Sequence, residues 1–231
     1  MNPPPAPWTL QATHPELLEE LADSMIGSNY NLREFLRTIA ESSAYQLSSR
    51  YEGKWDVTHV PLFARHYPRR LMGEEVHDVI QIVTGVRGRY TVQGWTEPVE
   101  WAMQLPEPVE PRSNGAVNNF MNAFLRGNRD TQLRRQAGSI QQQLALMNDV
   151  FVYNRARVTA SPVLQQVSRL ADNAAAVDEL FLTHLSRPPS EYERAKAAAF
   201  LARASGAAAR NTAIEDLSWA LINKIEFIFS Y

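Results

Sequence analysis

Apolar residues in this chain recur mostly at intervals of three and four, the spacing that gathers them on one face of a helix. Leu17, Leu18, Leu21 and Met25 keep that spacing behind Thr13, Pro15 and Glu16, which are placed as a capping box with proline in the first turn, and Gly27 offers a stop. Asn31 and Glu34 repeat the capping arrangement ahead of Leu32, Phe35, Leu36 and Ile39, so the spacing predicts a second helix running to about Gln46. The short link between them implies a helical hairpin. A loop holding Trp55, His59 and Pro61 follows. In YPRRLMGEEVHDVIQIVTG, Val76, Val79, Ile80 and Val83 then share one face and Gly85 ends a third helix.

Residues 86–115 break the period. Gly88, Gly94, Pro98, Pro106, Pro108, Pro111 and Gly115 punctuate a segment that carries Trp95 and Trp101, with at most a short β-hairpin at RYTVQGW. A loop of this length in a compact domain is either functional or packed down by its own aromatics. Helical spacing returns with Phe120, Met121, Phe124 and Leu125, and again with Ile140, Leu144, Leu146 and Met147. Ser161 with Pro162 starts a further helix, and Val177, Leu180, Phe181 and Leu185 mark another. Ser190 with Glu193 caps an alanine-rich one. The last segment, IEDLSWALINKIEFIFSY, is apolar on nearly every side and is expected as a helix at the centre of a bundle. The predicted fold is all-α: a multi-helix bundle interrupted by a long irregular Trp/Pro-rich loop. It forms one domain over 1–231, with 1–115 and 116–231 as its two lobes.

Composition narrows the function more than it identifies it. At 231 residues and 45% hydrophobic the chain can bury a core without disulfides or metals. With 23 basic and 25 acidic residues it carries no broad positive field, so nucleic acid is not an expected partner. Having no cysteine, it has no thiolate nucleophile, disulfide or cysteine metal site. No apolar run reaches the roughly 20 residues of a membrane span, and the start lacks the pattern of a secretory leader. Neither a GxSxG elbow nor a phosphate-binding glycine loop is present, and no cofactor is expected.

Several strings read in order, HPELLEELADSMIGSNYNLREFLRTIAESSAYQLSSR, RRLMGEEVHDVIQIVTG, SIQQQLALMNDVFV, LFLTHLSRPPSEYE and EDLSWALINKIEFIFSY, resemble the Planctomycete-specific domain family, domain of unknown function 1553. The resemblance runs from about His14 to Tyr231 and looks like the C-terminal part of the domain, as in a truncated member. It implies a larger exported parent protein, hence an extracytoplasmic location, with the parent's other domains as partners and a link to polysaccharide use. It brings no assigned activity and no catalytic residue. Arg69, Arg70, Asp78, Asn148, Arg187, Pro188, Trp219 and Asn223 carry over only as signature positions. The chain departs from the family at Met72–Gly73 and in having no cysteine near GNRD, which puts thiol or haem chemistry in doubt here.

Four constellations remain. Glu74, His77 and Asp78 lie at i, i+3 and i+4 on one helix face, where they could hold a metal. An acidic first turn paired with Arg69 and Arg70 explains them better, and no metal is expected. His59 and His66 flank VPLFAR in a loop and read as ordinary hydrogen-bonding histidines. Arg126, Arg129, Asp130, Arg134 and Arg135 read as a solvated connector or an internal clamp. Basic and aromatic residues interleave in one region, where Arg65, Arg69, Arg70, Arg87 and Arg89 accompany Tyr67, Tyr90, Trp95 and Trp101. Such a set suits an anionic polysaccharide, through forked hydrogen bonds and stacking. The leading expectation is a structural or interaction domain without catalysis. The alternative is a carbohydrate-acting enzyme or sulfated-glycan-binding module built on the 86–115 loop.

Overall fold

The computed structural model describes residues 12–126 and 138–230. Ten α-helices are found among them, and the only strands there are two of two residues each. Residues 129, 130, 134 and 135 of the basic stretch lie outside the described part. The chain divides into two compact units, one up to Arg69 and one from Arg70 to Ser230.

The first unit is a helical hairpin followed by an irregular segment. Helices α1 (Pro15–Gly27) and α2 (Leu32–Glu41) occupy the expected positions, but their ends differ from expectation. His14 rather than Thr13 is the N-cap of α1, and no side chain caps that end. Gly27 is the last helical residue, whereas the left-handed backbone of the link belongs to Asn29 and Tyr30, with φ of 52° and 59°. Asn31 caps α2 as predicted, its Oδ1 accepting from Glu34 N–H at 3.3 Å. The helix then stops at Glu41, short of Gln46, where Ser42 turns extended and its hydroxyl donates to Ile39 O. Beyond it, Tyr51, Trp55, His59 and Tyr67 pack ring against ring at 5.1–5.8 Å. His59 closes a capping box with Asp56 on a 3-10 turn, Val57–Leu62, an ordinary structural role.

Every buried hydrophobic residue among those described lies between Val76 and Ile228, in the second unit. Helix α3 (Gly73–Thr84) buries Val76, Ile80 and Val83 against α4 (Gly115–Ala123), and it also meets α6 (Val150–Arg155). Val117, Phe120 and Met121 answer from α4, and Phe151 and Val152 from α6. Gly73 makes the α3–α4 approach possible, since a Cβ there would sit 2.7 Å from Met121 O. Gly85 ends α3 with φ 69°, as its position foretold. Next to it the Ser161 hydroxyl donates to Thr84 O at 2.5 Å and accepts from Leu164 N–H, tying α3 to the start of α7 (Pro162–Ser168).

Helices α8 (Asn173–Leu185), α9 (Glu191–Ala202) and α10 (Ala207–Ile222) complete a bundle with α7. The capping box of Ser190 and Glu193 forms on α9. The final segment departs from the single central helix expected. Helix α10 ends at Ile222, a 3-10 turn spans Ile225–Ile228, and β2 (Phe229–Ser230) pairs with β1 (Arg69–Arg70). A spacing that was apolar on all sides concealed this change, because Ile225 points outward at 73% exposure while Phe227 and Ile228 are buried. Arg187 fixes the turn by forking onto Glu193 and Glu226, with Lys224 also on Glu193 at 2.6 Å. Glu226 thereby takes part in a polar cross-link with Arg187 and Lys224.

Candidate functional site

Helix α3 presents the densest set of titratable groups, and the structure uses them internally. Asp78 Oδ1 accepts from Ala102 N–H at 2.7 Å and Oδ2 from Met103 N–H at 3.0 Å, so one carboxylate caps the 3-10 turn Ala102–Gln104 in the long loop. His77 Nδ1 lies 2.8 Å from Asp78 Oδ1, and Nε2 lies 2.8 Å from the Tyr90 hydroxyl. A carboxylate can only accept, so Nδ1 carries the proton and the Tyr90 hydroxyl donates to Nε2. Burial pushes His77 below its usual range, against the pull of Asp78, and pushes the Tyr90 phenol up to about 12. The sequence of groups resembles a catalytic relay. With His77 at 0% exposure and Tyr90 at 2%, though, no substrate reaches it, and a phenol held this far from ionisation is a poor nucleophile. Its work is to fasten the loop to α3.

Glu74 has a partner that the sequence did not suggest. Arg126, three residues beyond α4, donates through Nε to Glu74 Oε1 at 3.0 Å, and its other nitrogens reach the carbonyls of Glu107, Pro108 and Glu110. Both side chains are almost fully buried. Of the two readings of the basic stretch, Arg126 therefore fits the internal clamp. The metal-binding arrangement does not form: among the described residues no three His, Asp or Glu groups are placed to hold an ion.

The interleaved arginines and aromatics are divided between the units. Arg65 lies in the first, its guanidinium 4.2 Å over Trp55 and 5.2 Å over Tyr67. The exposed Arg69 is the last residue of that unit. In the second unit Arg70 is half-buried and bonds the Gln142 side chain, and desolvation lowers its pKa. Arg87 lies 4.6 Å over the half-buried Trp101 ring and pairs with Glu100 across an exposed 3.4 Å contact. Tyr90 is buried and belongs to the His77 relay. Arg89 is exposed without an ion pair or side-chain hydrogen bond among the described residues, and Trp95 is half exposed. The long loop itself holds a single antiparallel bridge among the described residues, Tyr90 to Val99, where at most a short hairpin was expected.

Sequence reasoning missed a second place. A cleft of about 450 Å³ opens beside α5 (Ile140–Asn148), α6 and α10, with Tyr153, Arg157, Asp216 and Trp219 in its lining. Asn148 and Trp219 had been noted only as signature positions. With 51 residues between the end of α6 and the start of α10, the sequence gave no sign that these groups meet.

A helical domain with a wholly buried polar relay and an internal arginine clamp is the class of protein these features define. The family described as PSD1, protein of unknown function (DUF1553), matches residues 9–201, and the chain belongs to that family. The matched range contains four of the five strings that carried the resemblance. No curated protein and no solved structure matches. Among the described residues no helix is long and apolar enough to cross a membrane.

Proposed function

We propose that this chain is a non-catalytic interaction domain of a larger exported, extracytoplasmic protein concerned with polysaccharide, and that the α1–α2 hairpin is its docking element. The location and the polysaccharide link are supported by the resemblance alone. One observation carries the docking role: no residue of α1 or α2 is buried, although both helices carry several large apolar side chains. Leu17, Leu18, Ile26, Leu32 and Leu36 are 46–59% exposed. Exposed aliphatic side chains in this number favour a binding role, because each gains about 1.5–3 kcal/mol on full burial. Glu16, Glu19, Glu20 and Asp23 border it on α1, where no basic residue stands, so a partner with an apolar centre and a basic rim fits best.

The test is a photo-crosslinking residue at position 36 in cells that make the protein. A discrete crosslinked species is expected, lost when Leu32→Glu is added, while the stability of the second unit, followed by its thermal midpoint, changes by no more than the roughly 0.5 kcal/mol typical of surface changes. Absence of any discrete species, or a collapse of the midpoint with Leu32→Glu, would reject the docking role.

A second reading keeps one supporting observation, the exposure of Arg89 and Trp95 on the long loop. In it the loop binds a sulfated or carboxylated glycan through these two residues, with Arg87 and Trp101 beside them. On an array of sulfated polymers, Arg89→Ala and Trp95→Ala should each weaken binding about tenfold, the loss expected for one charge-assisted contact or one stacking ring. Binding indifferent to both substitutions removes this reading.

A further inference from the structure

The cleft beside α5, α6 and α10 holds one guanidinium of its own. Arg157 lies 4.1 Å over the Tyr153 ring, and its Nη1 is 2.6 Å from Glu215 Oε2. The other Glu215 oxygen accepts from Val158 N–H at 2.8 Å, so that carboxylate is fully engaged. One residue further along α10, Asp216 is exposed and has no ion pair or hydrogen bond from its side chain among the described residues. Trp219 stands less than one helical turn beyond, its indole N–H donating to Met147 O at 3.1 Å, which holds the half-exposed ring against the cleft. A ring and a carboxylate are thus present twice, and a cation fills only the first pair. The lining charges, one arginine against two carboxylates, leave a net −1 for a ligand to neutralise.

The surface next to the cleft is apolar. Ile140, Leu144 and Met147, at i, i+4 and i+7 along α5, are 80%, 50% and 39% exposed. A free arginine has no use for such a stripe, whereas an arginine flanked by aliphatic residues in a polypeptide does. We infer that this cleft receives an arginine side chain of a partner polypeptide between Trp219 and Asp216, with the partner's apolar neighbours lying on the Ile140–Leu144–Met147 face. The planar guanidinium suits the site, since it stacks on a ring and forks onto a carboxylate at once. The inference stands apart from the hairpin, and either can fail without the other.

The test is an NMR titration of the whole chain with three probes: N-acetyl-arginine amide, its uncharged citrulline counterpart, and an N-acetyl-Leu-Arg-Leu amide. Arginine amide is expected to shift the Trp219 indole N–H and the amides of 215–219 saturably, and citrulline amide to leave them unmoved. Asp216→Asn should weaken the arginine probe about fivefold or more, consistent with loss of a charge-assisted contact. The flanking leucines should tighten binding about tenfold through buried aliphatic surface. Equal shifts from citrulline, no shifts from arginine at tens of millimolar, or an unchanged affinity in Asp216→Asn would each overturn the assignment. A tripeptide no tighter than arginine amide would overturn its extension to an apolar partner segment.

Discussion

Replacing Arg126 by alanine should destabilise the second unit by about 3–5 kcal/mol, the cost of breaking a buried ion pair on one side only. The side chain is 1% exposed and its partner Glu74 is 5% exposed, so both charges of the pair lie out of water. The same substitution strips donors from the carbonyls of Glu107, Pro108 and Glu110, which the long loop buries against α4. For a unit of this size the loss corresponds to a fall in melting temperature of about 10 °C or more. Calorimetry of the variant beside Arg87→Ala makes the comparison sharp. Arg87 pairs with Glu100 at 58% exposure on both sides, and exposed pairs contribute about 0–1 kcal/mol. Arg126→Lys should fall between them, since it keeps the charge but cannot fork onto the Glu74 carboxylate and the loop carbonyls at once. Equal midpoints for Arg126→Ala and Arg87→Ala would show that the clamp does not hold the loop.

The second large effect is acid destabilisation centred on His184. Its Nδ1 donates to Leu180 O at 2.9 Å, which leaves Nε2 to accept from the Ser218 hydroxyl at 2.9 Å. A proton on both nitrogens would put an unpaired charge between α8 and α10. Burial accordingly lowers the pKa from an ordinary 6.5 to about 4, only partly opposed by the Leu180 carbonyl. Because the folded value lies below the unfolded one, this stability is complete above pH 6.5 and is lost as pH falls towards 4. The loss amounts to about 3 kcal/mol over that window. His77, lowered chiefly by burial, acts in the same direction. Glu193, held well below its usual range chiefly by Arg187, adds its loss only at lower pH, below the ordinary carboxylate range. Urea unfolding at pH 7 and pH 4.5 should show most of the drop in the wild type and a clearly smaller one in His184→Gln. A pH dependence identical in the two would remove His184 from the explanation.

Local rules read this sequence well where one residue decides the outcome. Asn31, Ser161 and Ser190 cap helices where their spacing placed them, and Gly85 ends α3 in the left-handed region. The rules did less well where two distant segments decide together. Glu74 pairs with a residue 52 positions away and Asp78 caps a turn 24 positions away, so neighbouring arginines looked like the natural partners. The long loop read as either a site or a packed segment, and the Asp78 and Arg126 contacts fasten it to the core. Its candidate ligand residues, Arg89 and Trp95, are those left outside that fastening. At the C-terminus, apolar residues on every side gave no period, and without one the break after Ile222 had no signal. The hairpin was legible as two amphipathic helices, but the pattern alone did not say that none of their apolar residues would be fully buried.

That hairpin is the centre of the proposal, and hydrogen exchange on the isolated chain tests it most directly. Amides of α3, α8 and α10 sit on the buried core and are expected to exchange only with global unfolding, whereas those of α1 and α2 should exchange within a few orders of magnitude of the free-peptide rate. Protection of α1 and α2 equal to that of α3, in the chain by itself, would mean that their apolar faces are already satisfied and that no partner is needed.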